Sequence, residues 1–359
     1  MTPIRFLPRA LRRACVAVLL SSAPLSTMAA AAQHLTLLTW EDYLSAEVIE
    51  RWQARTGVAI EQIYFDTSDK RDEILARPDH HIDLVLTERV SSERFGARGM
   101  FDAISEKNLP NLKHLASPWR DRCGPYSVPY LWGTMGIAYR ADRLAVAPDS
   151  WADLLRPAVT RPHVIMIEDH EDILAGPLIY LGQSINTADN DALKAAFEML
   201  QAQAPAVLTY EYAITSLKAQ RYLEHADMAL AFSGDQHVLN EVDGVEGKPW
   251  RYVVPKEGTL LWTDCFSVPS RTPNKELAYR FLAFLAEPEI AALNAEALGV
   301  ATPNDAAYSL LPERLREDRS IYPSTPVLQR SQVYEARPLE STQTRRRIIS
   351  ALINAHDAR

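Results

Sequence analysis

Glycine is scarce, 13 residues in 359, and the motifs that depend on it are missing. There is no G-x-G-x-x-G dinucleotide turn, no Walker A loop and no G-x-S-x-G nucleophile elbow, and the zinc motif H-E-x-x-H is absent too. Cysteine is scarcer still, with Cys15, Cys123 and Cys265 alone, which excludes a disulfide-dense miniprotein. Positive charge is in deficit: 38 Lys and Arg face 46 Asp and Glu, a formal charge of −8, so a strongly basic nucleic-acid binder is excluded. No apolar run reaches the roughly 20 residues that a membrane-spanning helix needs.

What is present begins with an address. Arg5, Arg9, Arg12 and Arg13 form a basic stretch, Ala14–Leu20 is apolar, and Ala29–Ala32 offers A-x-A cleavage sites. Residues 1–32 are therefore expected to be a secretory signal, with the mature protein exported. Cys15 lacks the apolar-small context of a lipoprotein site. Cleavage after Ala32 leaves 34 basic against 46 acidic residues, a formal charge of −12, which steers cationic solutes inward. An oxidising compartment permits a bond between Cys123 and Cys265, but spacing alone does not establish one; two buried thiols are the expectation.

Along the mature chain, strand-like and helix-like stretches alternate. Leu35–Trp40 is a short apolar strand. Ser45 caps a helix with Val48, Ile49 and Trp52 on one face, and Gly57 stops it. Strands follow at Val58–Phe65 and Ile82–Thr87, with a helix at Asp69–Arg77 between them. This β-α-β-α-β order predicts an α/β fold with a parallel sheet. Tyr126–Arg140 and Leu261–Pro269 are extended segments long enough to leave one sheet and enter another. Helices are expected at 172–182, 190–203, 214–225, 274–298 (broken at Pro288) and 343–356. Two α/β halves joined by extended strands, with no flexible tether, imply a cleft between lobes.

His80-His81 reads as a solvated loop, and Arg345-Arg346-Arg347 as the polar face of the last helix. What remains is aromatic rings beside carboxylates at strand ends: Trp40-Glu41-Asp42-Tyr43, Glu168-Asp169-His170-Glu171-Asp172 and Trp262-Thr263-Asp264. Ligands of open α/β sheets bind outside the carboxyl ends of strands. A ring face attracts an organic ammonium and covers its methylenes, while a carboxylate accepts its hydrogen bonds. Taken singly, each cluster reads equally well as core tryptophan or helix cap; three in one chain favour a site.

TWEDYL (39–44), IDLVLT (82–87), YSVPYLWGTMGIAYR (126–140), SWADLL (150–155), FSGD (232–235), VPKEGTLLWTDCFSVP (254–269), ALGVATPN (297–304) and IYPS (321–324) occur in this order. Together they resemble the periplasmic spermidine/putrescine-binding proteins of ABC importers, over essentially the whole mature chain. The resemblance implies a two-lobed type II periplasmic-binding-protein fold with no catalysis and no cofactor. It implies one lobe from 33–138 and 265–308 and the other from 139–264 and 309–359. It also implies a ligand-binding set: Trp40, Glu41 and Tyr43 after the first strand, Asp169 and Asp172 at a strand-to-helix turn, Phe232 where a Trp is usual, and Trp262 and Asp264 on the crossing strand. Tyr334 falls near a polar contact from the C-terminal segment. The chain departs from the pattern at Glu88 and Val90, which replace a small hydroxyl residue and an aromatic, and at Val300, which replaces a Tyr. Glu88 could take an additional ammonium, and a polyamine other than spermidine, or one in a shifted pose, is expected.

The leading expectation is capture of a polyamine or related small amine by a monomer that serves an ABC importer permease. Two alternatives stay open: a periplasmic sensor subunit signalling to a membrane receptor, and a binding protein for another cationic solute. A secreted hydrolase using Glu168 and Asp172 as an acid/base pair lacks a nucleophile or metal set.

Overall fold

The protein is described here from a computed structural model. It covers residues 33–359 except 79, 116, 158–160, 162, 223 and 245, so the expected signal segment lies outside the described residues. Among the described residues nine strands are formed: β1 (His34–Thr39), β2 (Ala59–Tyr64), β3 (Leu84–Thr87), β4 (Val128–Arg140), β5 (Val164–Ile165), β6 (Val207–Thr209), β7 (Met228–Phe232), β8 (Trp250–Val253) and β9 (Leu261–Ser267). Their order is β2-β1-β3-β9-β4-β7-β5-β6, with β8 also on β4. β1 runs parallel to β2 and β3, and β5 runs parallel to β6 and β7.

The two halves meet on β4. Its first part, Val128–Thr134, pairs antiparallel with β9, and Met135–Tyr139 pairs antiparallel with β7. One 13-residue strand thus belongs to both sheets. Each half has its own core. Leu35, Leu37, Val48, Trp52, Leu84, Phe266 and Phe281 belong to one, and Ile137, Trp151, Val164, Ile173, Leu230 and Ile348 to another. A smaller cluster around Trp132, Leu261, Ala295 and Ile321 packs along the crossing strands. The fold is the two-lobed α/β architecture expected from the sequence.

Local chemistry accounts for several boundaries. Ser45 Oγ accepts the Val48 N–H, and Gly57 ends that helix in the left-handed region at φ 73°. The helix buries Val48 and Trp52, with Trp52 edge-on to Phe281 at 5.0 Å. Pro288 starts a second helix, Pro288–Leu298, after Lys275–Leu285 has ended, which suits a residue lacking an N–H.

Two expectations are corrected. Cys123 and Cys265 form a disulfide with Cα atoms 5.9 Å apart, not two free thiols. The turn of 3₁₀ helix at 121–126 brings Cys123 under β9, a proximity that sequence spacing does not reveal. Arg345 does not lie on a polar face: it is 0% exposed, and its guanidinium donates to the carbonyls of Ile185 and Thr187. Those carbonyls come from a distant turn, invisible to helical periodicity.

The bond spans 142 residues of sequence, so the unfolded chain gains much freedom without it. Replacing both cysteines by alanine is expected to cost about 2–5 kcal/mol in denaturant titration, with ligand-free secondary structure retained.

Candidate functional site

The candidate residues lie at the carboxyl ends of β1, β3, β5, β6 and β7. The chain leaving β1 carries Trp40–Tyr43, and that leaving β3 carries Glu88. In the other half, β5 leads to Glu168–Asp172, β6 to Glu211 and Tyr212, and β7 to Phe232–Asp235. These are the carboxyl ends where an open α/β sheet leaves room for a ligand. β9 crosses between them. Its Cys265–Ser267 segment is hydrogen-bonded to β3 on one edge and β4 on the other, whereas Trp262–Asp264 pairs with β4 alone. That open edge is where Trp262 and Asp264 stand.

Close backbone approach and a bulge shape this region. A Cβ on Gly133 would meet Ser233 Oγ at 2.1 Å and Trp262 Cζ2 at 2.4 Å, so only glycine lets the indole lie there. Trp262 Nε1 donates to the Thr134 carbonyl at 3.1 Å, which fixes the ring. The β4–β9 register slips between Pro129 and Leu131. The extra residue, Tyr130, donates to the Tyr43 carbonyl at 2.8 Å and accepts from Asn294 at 2.8 Å. Trp40 packs on Phe65 with centroids 4.3 Å apart, and Phe232 lies 6.2 Å from Tyr212.

Three aspartates carry the electrostatics. Burial pushes Asp264 up to about 7, against a lowering contact with the Tyr43 hydroxyl and with the nearby Glu88 adding to the rise. Burial likewise pushes Asp235 up to about 6, although the Phe232 N–H donates to it at 2.7 Å and Tyr212 bonds to it. Asp172 is raised well above the usual carboxylate range by burial and then by Asp169, while Tyr334 donates to it at 2.8 Å. Tyr43, Tyr212 and Tyr334 are all raised well above their ordinary value, by burial first and then by neighbouring carboxylates. Each acid therefore faces one tyrosine hydroxyl. Among the described residues, no Lys or Arg forms an ion pair with Asp172, Asp235 or Asp264. Desolvation disfavours the charged form of a carboxyl group that has no internal cation beside it.

The structure brings most of the expected residues together, in unequal roles. Trp40, Tyr43, Asp172, Phe232, Trp262, Asp264 and Tyr334 are partly buried around the cleft. Asp169 is a helix cap: its Oδ1 accepts the N–H groups of Glu171 and Asp172 at 2.8 and 3.2 Å. Glu41 is exposed at the lip, 3.6 Å from Lys218. Glu88 is not a free carboxylate. Against the upward push of burial, the Arg71 guanidinium, 2.6 Å away, holds it down to about 2. Val300 is buried against the turn at Gly234, whose φ of 106° admits little else than glycine. Sequence reading missed Asp235, Tyr212 and Arg71. Asp235 lay in the quoted FSGD run, next to Phe232, and a carboxylate directly after a strand-end glycine was the available signal.

Ion pairs also cross the mouth. Lys218, on the helix Ala213–Lys218 of one half, lies 2.5 Å from Asp42 of the other. Arg346 of the last helix pairs with Asp69, and His170 lies 3.9 Å from it. The two halves are in contact across the cleft.

Comparison with known proteins gives this geometry a family. The profile described as bacterial extracellular solute-binding protein matches residues 47–318. The norspermidine sensor of Vibrio cholerae is 33% identical over 332 residues, covering 92% of this chain and 91% of that protein. The spermidine/putrescine-binding periplasmic protein of Escherichia coli K12 is 28% identical, covering 80% and 83%. The spermidine/putrescine ABC transporter substrate-binding protein PotD of Streptococcus pneumoniae superposes with a TM-score of 0.75 at 24% identity, over 90% of this chain and 99% of that one. The chain belongs to the bacterial extracellular solute-binding protein family. Its members bind solutes and are not enzymes, and the resemblance drawn from the ordered motifs is borne out. Among the described residues, no helix is long and apolar enough to cross a membrane.

Raised carboxylates have a definite sign in stability. Between the ordinary aspartate value of 3.8 and about 7, folded Asp264 keeps a proton that the unfolded chain has released. The unfolded state then binds fewer protons, and stability falls as pH rises through this window. The melting temperature of the ligand-free protein is expected to fall from about pH 5 to about pH 7, and less steeply in Asp264→Asn. A flat wild-type profile would contradict the assignment.

Proposed function

We propose that this protein captures a polyamine in the cleft between its lobes, in the periplasm, and delivers it to the permease of an ABC importer. The observation that carries the reading is a set of three carboxyl groups, Asp235 buried and Asp172 and Asp264 partly buried, each beside a tyrosine hydroxyl and, among the described residues, none in an ion pair. Half-buried rings at Trp40, Phe232 and Trp262 supply faces for the methylenes between ammonium groups. The ammonium groups would take the carboxylates, since a buried charge is tolerated when paired. A ligand that touches both halves favours the arrangement in which they meet, and the Lys218–Asp42 contact adds to it.

The disulfide supports an oxidising compartment, as does the basic-apolar N-terminal segment. A monomer suffices, because both walls of the cleft come from one chain. The similarity to the Vibrio cholerae norspermidine sensor favours a second reading, in which the liganded shape is handed to a membrane receptor. Deleting the gene separates the two. Loss of labelled polyamine uptake marks the importer role; intact uptake with loss of the cell's response to the amine marks the sensor.

Binding itself is tested by titration calorimetry and thermal shift with putrescine, norspermidine, spermidine and spermine. At least one amine is expected to raise the melting temperature, since it binds the native state alone. Asp264→Asn is expected to weaken that amine by about 2–5 kcal/mol, roughly 30-fold to several-thousand-fold. Unchanged affinity would remove Asp264 from the site.

A further inference from the structure

One charged pair at the cleft is satisfied before any ligand arrives. Arg71 is 1% exposed. Its guanidinium donates to Glu88 at 2.6 Å, to Asp72 at 2.9 and 3.1 Å and to Ser91 at 2.8 Å. Its carbon also lies 5.8 Å from the Phe65 ring, and Phe65 packs against Trp40. The guanidinium is saturated and locked.

The pair is also aimed at the ligand's place. β3 and β9 run antiparallel, and their last bonded pair is Thr87 with Cys265. Continuing that register leads to Glu88 beside Asp264. The Glu88 charge adds to the upward push on both Asp264 and Asp172, and the Arg71 charge opposes it at Asp264. A carboxylate here, in line with Asp264, would hold a further ammonium if it were free. Arg71 stands where that ammonium would be.

We propose that Arg71 is a specificity-determining residue: its built-in positive charge occupies Glu88, closes the β3 end of the cleft, and limits the ligand to the three carboxylates at 172, 235 and 264. The consequence is selectivity for linear amines with up to three charged nitrogens over those with four. This rests on the polyamine reading above.

Three probes test it: putrescine, norspermidine and spermine, titrated calorimetrically into wild type, Arg71→Gln, Glu88→Gln and the double variant. In Arg71→Gln the freed Glu88 adds a fourth acceptor. Spermine is expected to gain on norspermidine by about tenfold or more relative to wild type. In the double variant both charges are gone, and the ratio is expected to return to within about twofold of wild type. In Glu88→Gln, Arg71 stays charged and held by Asp72 and Ser91, and its charge is no longer offset by Glu88. Its losses are expected to be graded by ligand charge, largest for spermine and smallest for putrescine, and this variant serves also if Arg71→Gln does not fold. A merely structural pair would weaken all three amines alike, and a uniform loss or an unchanged ratio overturns the inference alone. If wild type binds none of the three, the polyamine reading fails and takes the inference with it.

Discussion

Carboxyl groups drawn partly out of water, each beside a tyrosine hydroxyl instead of a cation, are the constraint around which the candidate site is arranged. Three carboxyl groups sit there, and among the described residues no lysine or arginine forms an ion pair with them. A fold that only sought stability would pair them with lysine or arginine, or replace them. This one instead places a tyrosine hydroxyl against each, which stabilises the anion partway and leaves the remaining lone pairs for a ligand.

The backbone serves this arrangement through one strand. Because β4 runs through both halves, the cleft has a floor that is continuous in hydrogen bonding, while its walls come from separate cores. The Tyr130 bulge, Gly133 and the open edge of β9 all occur within a few residues of the crossing. Each departs from regular sheet, and each positions a side chain that a regular ladder would bury or turn away. The disulfide at Cys265 anchors β9 directly after Asp264 and ties this acid's strand to the lobe that carries Tyr43.

The mouth of the cleft works on weaker forces. Lys218 with Asp42, and Arg346 with Asp69, are at least partly exposed pairs, of the kind worth a fraction of a kcal/mol to about 1 kcal/mol each. They can bias the halves toward contact without holding them shut, which suits a protein that must also release its cargo. The inner charges are shielded and strong, the outer ones screened and soft.

The sequence by itself determined what depends on neighbours in the chain. Local pattern carried the helices at 46–56 and 190–203, and Pro288 marked a break that the structure resolves as the start of a second helix. Alternating strands and helices carried the α/β class, and rings beside acids at strand ends carried most of the cleft. Only the tertiary structure decided what depends on partners far away. Glu88 looked like a free acceptor until Arg71 reached it from 17 residues earlier. Asp169 and Asp172 looked alike until one became a cap and the other received Tyr334 from 162 residues later. Cys123 and Cys265 looked like separate thiols, and Arg345 like a surface residue. The physical reason is common to all four: a side chain's charge state and partner are properties of its surroundings, and a spacing rule sees only one turn or one strand ahead.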